Sequence, residues 1–212
     1  MLLTFSTPLY IIFLVVLAIV LFFLWRKKRS VPYLICFSLF WVYMLAAIDR
    51  VFFPIPLDAH FSDPYNLSPW ARVNLIPFNF WESSSALESL ELMIYNILLT
   101  IPFGFGINLI AKIKPQKVLL LCVAVGIGTE LLQLGISLLL WYPYRIIDID
   151  DTLANSLGVL LGYLMFRLFG YIYIRATESQ KLEHYGLFLY VYDTALRYKN
   201  KPIFKSDKIT AI

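Results

Sequence analysis

Five apolar runs, each close to twenty residues, constrain this chain more than any other feature. They cover Pro8 to Trp25, roughly Pro32 to Ile48, Leu92 to Ile110, about Val118 to Leu139, and Thr152 to about Ile174. About 20 apolar residues in a helix cross a ~30 Å hydrocarbon core, so each run is long enough to span a membrane. Lipid offers no partner for backbone N–H and C=O groups, which makes helix the expected conformation of all five. Composition agrees, with 60% apolar, 17% aromatic and only 15% charged residues, where an ordinary soluble domain carries about 25% charged residues. The expected fold class is an all-α integral membrane protein, a bundle of five transmembrane helices.

Charge gives the expected orientation. No Lys or Arg precedes the first run, whereas Arg26, Lys27, Lys28 and Arg29 follow it at once, the inverse of a secretion signal and the pattern of an uncleaved anchor. With the N-terminus outside, 15 of the 18 basic residues fall on the inner side and only Arg50, Arg72 and Arg145 remain outside. The positive-inside rule then predicts an N-out, C-in topology. Ten of the fourteen acidic residues lie toward the outer side. The net charge of +4 follows this topology and implies no nucleic-acid partner.

The chain divides into an N-terminal membrane anchor with a basic stop (1–30), a principal transmembrane domain (31–174) and a cytoplasmic amphipathic, basic tail (175–212). Between the second and third runs, Phe53 to Glu91 forms a long outer loop rich in proline and aromatics. Loops of this length are usually functional or disordered. Its Trp70, Phe78, Phe80 and Trp81 suit a membrane interface. In the tail, Leu182, Tyr185, Leu189, Tyr192 and Leu196 recur at helical spacing. With Arg197, Lys199, Lys201, Lys205 and Lys208 beyond, this stripe is expected to lie on an anionic leaflet; a short strand over Leu187 to Tyr192 is the alternative. Cys36 and Cys122 fall inside apolar runs and read as small buried residues. His60 and His184 lie on opposite sides of the membrane, so no histidine metal site is expected.

Polar residues inside or beside the spans are the candidates for function, since each ionisable group there costs about 2.5–3.5 kcal/mol on insertion scales. The densest group is Arg145, Asp148, Asp150, Asp151 and Asn155 at the mouth of the fifth span. On a helix, Asp151, Asn155, Gly158 and Gly162 share one face, so the acidic mouth continues into a small-residue seam suited to close helix packing. An aspartate at the helix N-terminus also caps it, and capping alone accounts for one of the three. In the fourth span Gly126, Glu130 and Gln133 share a face, and in the third Asn96 and Thr100 do, with Pro102 and Gly104 weakening the helix beyond. Three helices thus bring polar side chains to one layer. The expected product is an external polar pocket rimmed by Arg72, Arg145 and the aspartates. A purely structural reading stands beside it, in which Asn96, Gln133, Asn155 and Glu130 hydrogen-bond between helices and Arg145 pairs with Asp148.

Four blocks in order carry a family resemblance: Asn74-Leu-Ile-Pro-Phe78; Tyr95-Asn-Ile-Leu-Leu-Thr-Ile-Pro-Phe-Gly104; Thr129-Glu-Leu-Leu-Gln133; and Arg145-x-x-Asp148-x-Asp150-Asp151-x-x-x-Asn155-x-x-Gly158-x-x-x-Gly162. Over about Arg72 to Phe166 the chain resembles the VanZ-like family of bacterial membrane proteins, whose archetype is associated with teicoplanin resistance. The resemblance implies a multi-pass protein of a Gram-positive-type cell membrane with a resistance phenotype, and supplies no reaction and no cofactor.

Three mechanisms fit the residues. In the first, Arg72, Asn74, Asn96, Gln133, Arg145, Asp150 and Asn155 bind a membrane lipid or lipid-linked cell-wall precursor, the arginines gripping phosphate or carboxylate. In the second, the chain is an intramembrane hydrolase or transferase with Glu130, Asp148 and Asp151 as catalytic acids, the aspartates holding a hard cation such as Mg²⁺. In the third, it is a transporter or helper subunit, completed as a homodimer through the Gly158/Gly162 seam; the lack of an internal repeat argues against a transporter of duplicated halves.

Overall fold

The computed structural model describes residues 2–58, 65, 67–79, 86–180 and 183–199. Apolar composition and the lack of backbone partners in lipid turn each long apolar run into a helix. The five are α1 (Thr7–Arg26), α2 (Val31–Phe52), α3 (Ala86–Ile110), α4 (Val118–Leu140) and α5 (Ile149–Gln180). All are long and apolar enough to cross a membrane. A sixth helix, α6 (Gly186–Lys199), follows α5. At 32 residues, α5 is about 48 Å long at 1.5 Å per residue and outreaches the hydrocarbon core.

Two short ladders sit at the end of the bundle where α2 ends and α5 begins. Strand β1 (Leu2–Leu3) pairs antiparallel with β2 (Ile55–Pro56). Strand β3 (Val73–Asn74) pairs parallel with β4 (Ile147–Asp148) in the register Val73 to Ile147 and Asn74 to Asp148. The second ladder brings the loop after α2 to the first residue of α5. We call this the acidic end.

Helix α5 is the centre of the bundle, packed along its length against α3 and on another side against α4. Glycine makes the approach close. A Cβ on Gly158 would fall on Thr100 Oγ1 and the Ile97 carbonyl, one on Gly162 on the Ile101 carbonyl, and one on Gly104 of α3 on the Val159 carbonyl. The Gly158/Gly162 seam is therefore filled by α3 of the same chain. On the other side, a Cβ on Gly126 of α4 would meet Ser156 Oγ and the Thr152 carbonyl. Small-residue seams of this kind let helices associate in lipid through van der Waals contact.

Pro102 lies inside α3, yet the helix runs through it to Ile110. Tyr43 of α2 donates its hydroxyl to the Leu99 carbonyl at 2.6 Å, beside the turn that proline opens. Polar groups on a neighbouring helix commonly support such positions in membrane bundles.

The tail is helical, but its packed face differs from the expected stripe. Thr194, Ala195 and Tyr198 are buried, whereas Tyr185 and Leu189 are exposed; Leu182, Lys201, Lys205 and Lys208 lie outside the described residues. Tyr198 packs edge-on against Phe166, and Tyr190 donates its hydroxyl to the Leu109 carbonyl of α3. The reason is steric: Gly170 leaves room for Ala195, whose Cβ would stand 3.1 Å from a Cβ there. The core cluster of Val118, Cys122, Val159, Tyr163, Phe166 and Tyr198 then joins α4, α5 and α6.

Candidate functional site

The three aspartates at the start of α5 take three separate partners. Asp148 precedes the first helical residue and its Oδ1 accepts the Asp150 backbone N–H at 2.9 Å, the bond of an N-cap. Its carboxylate also accepts from Asn74 Nδ2 at 3.2 and 3.1 Å, reinforcing the β3–β4 ladder. Asp150 is 3% exposed and accepts the Phe78 backbone N–H through both oxygens, at 3.0 and 3.1 Å. Asp151 points to α3 and accepts from Asn96 Nδ2 at 2.6 Å. Cap, loop and helix interface each receive one carboxylate.

Glu130 of α4 joins the same assembly. It is 6% exposed and its Oε2 accepts the Asp148 backbone N–H at 3.1 Å. One turn on, Gln133 donates to the Val51 carbonyl of α2 at 3.1 Å. Asn155 is buried, and its backbone carbonyl accepts from Thr100 Oγ1 at 3.0 Å. Polar groups of α2, α3, α4 and α5 thus interlock, with α2 an addition to the three helices the sequence brings together.

Arg145 does not turn to Asp148. Its Nη2 donates to the Phe53 carbonyl at 3.0 Å, at the C-cap of α2, and its guanidinium stands 6.0 Å over the Tyr144 ring. A cation on the last carbonyls of a helix opposes the negative end of its dipole. Beside it, burial pushes the Tyr144 phenol up from its ordinary value, with the Arg145 charge pulling the other way. Among the described residues, the fully buried Ser137 Oγ has no hydrogen-bond partner. Asp49, adjacent to Arg50, accepts from Tyr10 of α1 at 3.4 Å.

The loop held by these acids has a defined shape. Asn74 Oδ1 accepts the Ile76 N–H at 3.1 Å, an Asx turn, and the Asn74 and Asn79 amides exchange bonds at 3.2 and 3.1 Å. Phe78 adopts a left-handed backbone, φ 59°, uncommon for a bulky residue and costing on the order of 1–3 kcal/mol. Such conformations persist where the surroundings over-determine them, and here the Asp150 carboxylate does so. Leu75 and Ile76 are 70% and 66% exposed; Phe78, Trp70 and Arg72 are exposed beside them. Phe80, Trp81 and His60 lie outside the described residues.

A family model described as VanZ/LLP1 matches residues 40–170. The chain belongs to that family. No curated protein and no solved structure matches it. The match in this VanZ/LLP1 protein begins within α2 and ends within α5, so it takes in the whole acidic end apart from the β1 strap. With five helices able to span a bilayer, it is a multi-pass membrane protein.

Among the described residues, no three His, Cys, Asp or Glu side chains are arranged to hold a metal ion. Each aspartate meets its own N–H donors, the Asp150 amide and Asn74 for Asp148, the Phe78 amide for Asp150 and Asn96 for Asp151. Sequence reasoning placed Glu130, Asp148, Asp150, Asp151, Asn74, Asn96 and Gln133 at one end. It missed the Phe78 amide and the Phe53 and Val51 carbonyls as their partners. Backbone groups carry no side-chain signal, so the residue pattern does not reveal them.

Proposed function

We propose that this protein binds a lipid-linked envelope component at the acidic end and thereby lowers susceptibility to lipoglycopeptides such as teicoplanin. The carrying observation is the juxtaposition of Arg72 with the exposed apolar side chains Leu75, Ile76 and Phe78, on a loop pinned by the buried Asp150 carboxylate. An anionic head beside lipid tails is the ligand chemistry that such a surface complements: a guanidinium forks onto phosphate or carboxylate, while the loop tip sits among acyl chains. The buried acids serve in this reading as the frame that holds the loop. An N-out orientation in a bacterial, Gram-positive-type membrane puts that loop on the face that such drugs reach.

The test compares teicoplanin and vancomycin susceptibility in a sensitive host expressing wild type, Arg72→Gln or Ile76→Ser at matched membrane levels. Both substituted side chains are exposed, so neither change disturbs the buried network. Protection against teicoplanin by wild type, lost in both variants, supports the reading. Full protection by both variants removes this surface from the mechanism, and no protection by wild type removes the phenotype.

A further inference from the structure

At the end of the bundle opposite the acidic end, the turn between α1 and α2 holds a shallow cavity of about 460 Å³, lined by Trp25, Arg26, Lys28, Arg29, Ser30 and Val31. Half of this wall is cationic and no acid stands on it. The first acid in the chain is Asp49, near the far end of α2, about 27 Å from Val31 at ~1.5 Å per residue. All four basic residues of the turn, Arg26 to Arg29, are exposed.

The turn keeps a cation where glycine is the usual residue. The Lys28 N–H donates to the Trp25 carbonyl at 2.8 Å and the Arg29 N–H to the Leu24 carbonyl at 3.1 Å, the two bonds of a Schellman motif. Its left-handed position falls to Lys28, φ 55°, where a Cβ crowds the backbone and glycine would not. Membrane orientation requires basic residues on one side, but none in that conformation. Arg26 is accounted for by the last turn of α1, whose negative dipole end it opposes; Lys28 and Arg29 lie beyond that helix. Arg29 stands 5.0 Å over the Tyr33 ring, which meets Tyr190 of α6 edge-on. Stacking fixes the guanidinium plane and leaves its N–H edge free to fork onto an anion.

The surroundings fit a lipid. Arg26 ends a 20-residue apolar helix, which sets the turn at headgroup level. Trp25 and Val31 are 62% and 66% exposed, so the cavity has apolar flanks, and tryptophan favours the membrane interface. Its volume lies within the range of small-molecule sites, about 300–1,000 Å³, enough for a headgroup whose chains stay outside. Basic clusters directly beside a span attract anionic lipid.

We propose that the α1–α2 turn binds the phosphate headgroup of an anionic phospholipid, gripped by Arg26, Lys28 and Arg29. The Arg29 fork takes two phosphate oxygens, the Lys28 ammonium adds a point charge, and Trp25 meets the first carbons of the acyl chains.

The experiment uses the purified full chain in neutral detergent, with short-chain phosphatidylglycerol, short-chain phosphatidylcholine and inorganic phosphate as probes, read by native mass spectrometry and thermal unfolding. Phosphatidylglycerol is expected to bind at least about fivefold more tightly than phosphatidylcholine. Arg29→Gln and Lys28→Gly should each weaken phosphatidylglycerol by about fivefold. Because glycine suits the left-handed position, Lys28→Gly should also hold or raise the unfolding temperature without lipid, so that affinity and stability move apart. Lys27→Gln removes the same charge from the same turn but off the cavity wall, and should leave the affinity nearly unchanged. Equal binding of the two lipids, unchanged binding in Arg29→Gln and Lys28→Gly, or an equal loss in Lys27→Gln each overturns the proposal. A lower lipid-free unfolding temperature in Lys28→Gly would make that lysine part of the fold and remove it from the site. Inorganic phosphate binding as tightly as phosphatidylglycerol overturns the lipid assignment in favour of free phosphate.

Discussion

The Asp150 carboxylate holds the Phe78 amide from a position 72 residues away, with both oxygens within 3.1 Å of the nitrogen. A left-handed phenylalanine is kept in place by an acid at the first turn of the central helix. Loop geometry and bundle packing are thereby one structure, and the surface we assign to ligand binding is only as ordered as this bond.

Removing it should loosen the loop without unfolding the bundle. In Asp150→Ala the Phe78 amide, on an exposed residue, finds water, so the loss sits near 1 kcal/mol rather than the ~3 kcal/mol of a fully buried donor. Hydrogen exchange at the Phe78 amide is expected to rise about fivefold, while amides of α3 and α5 stay protected. Asp150→Asn keeps an acceptor oxygen and should fall between the two. Equal protection in all three proteins would show that the loop holds itself.

Glycines on the α3–α5 seam should behave oppositely to those facing open space. Gly158→Ala and Gly104→Ala drive a methyl into a facing backbone carbonyl; backbone cannot yield as a side chain can, and the cost is about 1–3 kcal/mol or more. A Cβ on Gly128 or Gly135 would meet no atom of the described residues within 4 Å. Alanine there should be neutral or stabilise by up to about 1 kcal/mol. Thermal unfolding in detergent across the four variants distinguishes the classes.

Asn96 and Asp151 should be coupled. Their 2.6 Å bond joins α3 to α5, and interhelical pairs in membranes average about 0.6 kcal/mol with a maximum near ~1.7. A charged acceptor puts this pair toward the upper value. In a double-mutant cycle of Asn96→Ala and Asp151→Ala, a coupling near 1–2 kcal/mol is expected. Additive effects would mean that the two side chains serve separate neighbours.

Tyr198→Ala should release α6. The ring is buried against Phe166 and carries the Arg167 guanidinium, and truncating a buried aromatic costs about 3 kcal/mol. Limited proteolysis at the Glu183–Tyr185 segment before α6 should become faster while the acidic end keeps its exchange protection. Cleavage at the wild-type rate would place the anchorage of α6 elsewhere.

Several features of the site were legible before any coordinates. Asp151, Asn155, Gly158 and Gly162 share a helical face by spacing alone, and that face meets Asn96, Thr100, Ile97 and Ile101 of α3. One aspartate of three was accounted for by capping, and Asp148 makes the N-cap bond. Arg145 was less readable. A carboxylate three residues on is the obvious partner in a sequence, yet the bare C-terminal carbonyl of α2, 92 positions away, lies where the guanidinium can reach it. The tail was half legible: its helix forms, but Thr194, Ala195 and Tyr198 are its buried face while Tyr185 and Leu189 of the expected stripe are exposed, Gly170 leaving room for Ala195.

What the sequence by itself determined is local: five helices long enough to cross a bilayer, and which residues share a face on each. Lipid removes every alternative to helix, and the 3.6-residue repeat then assigns faces without reference to any neighbour. Only the tertiary structure decided which buried polar atom meets which. Buried carboxylates require a donor, and the donors that satisfy Asp150 and Glu130 are backbone N–H groups of Phe78 and Asp148. Every residue but proline carries such a group, so its identity follows from where the chain is brought together, not from its side chain.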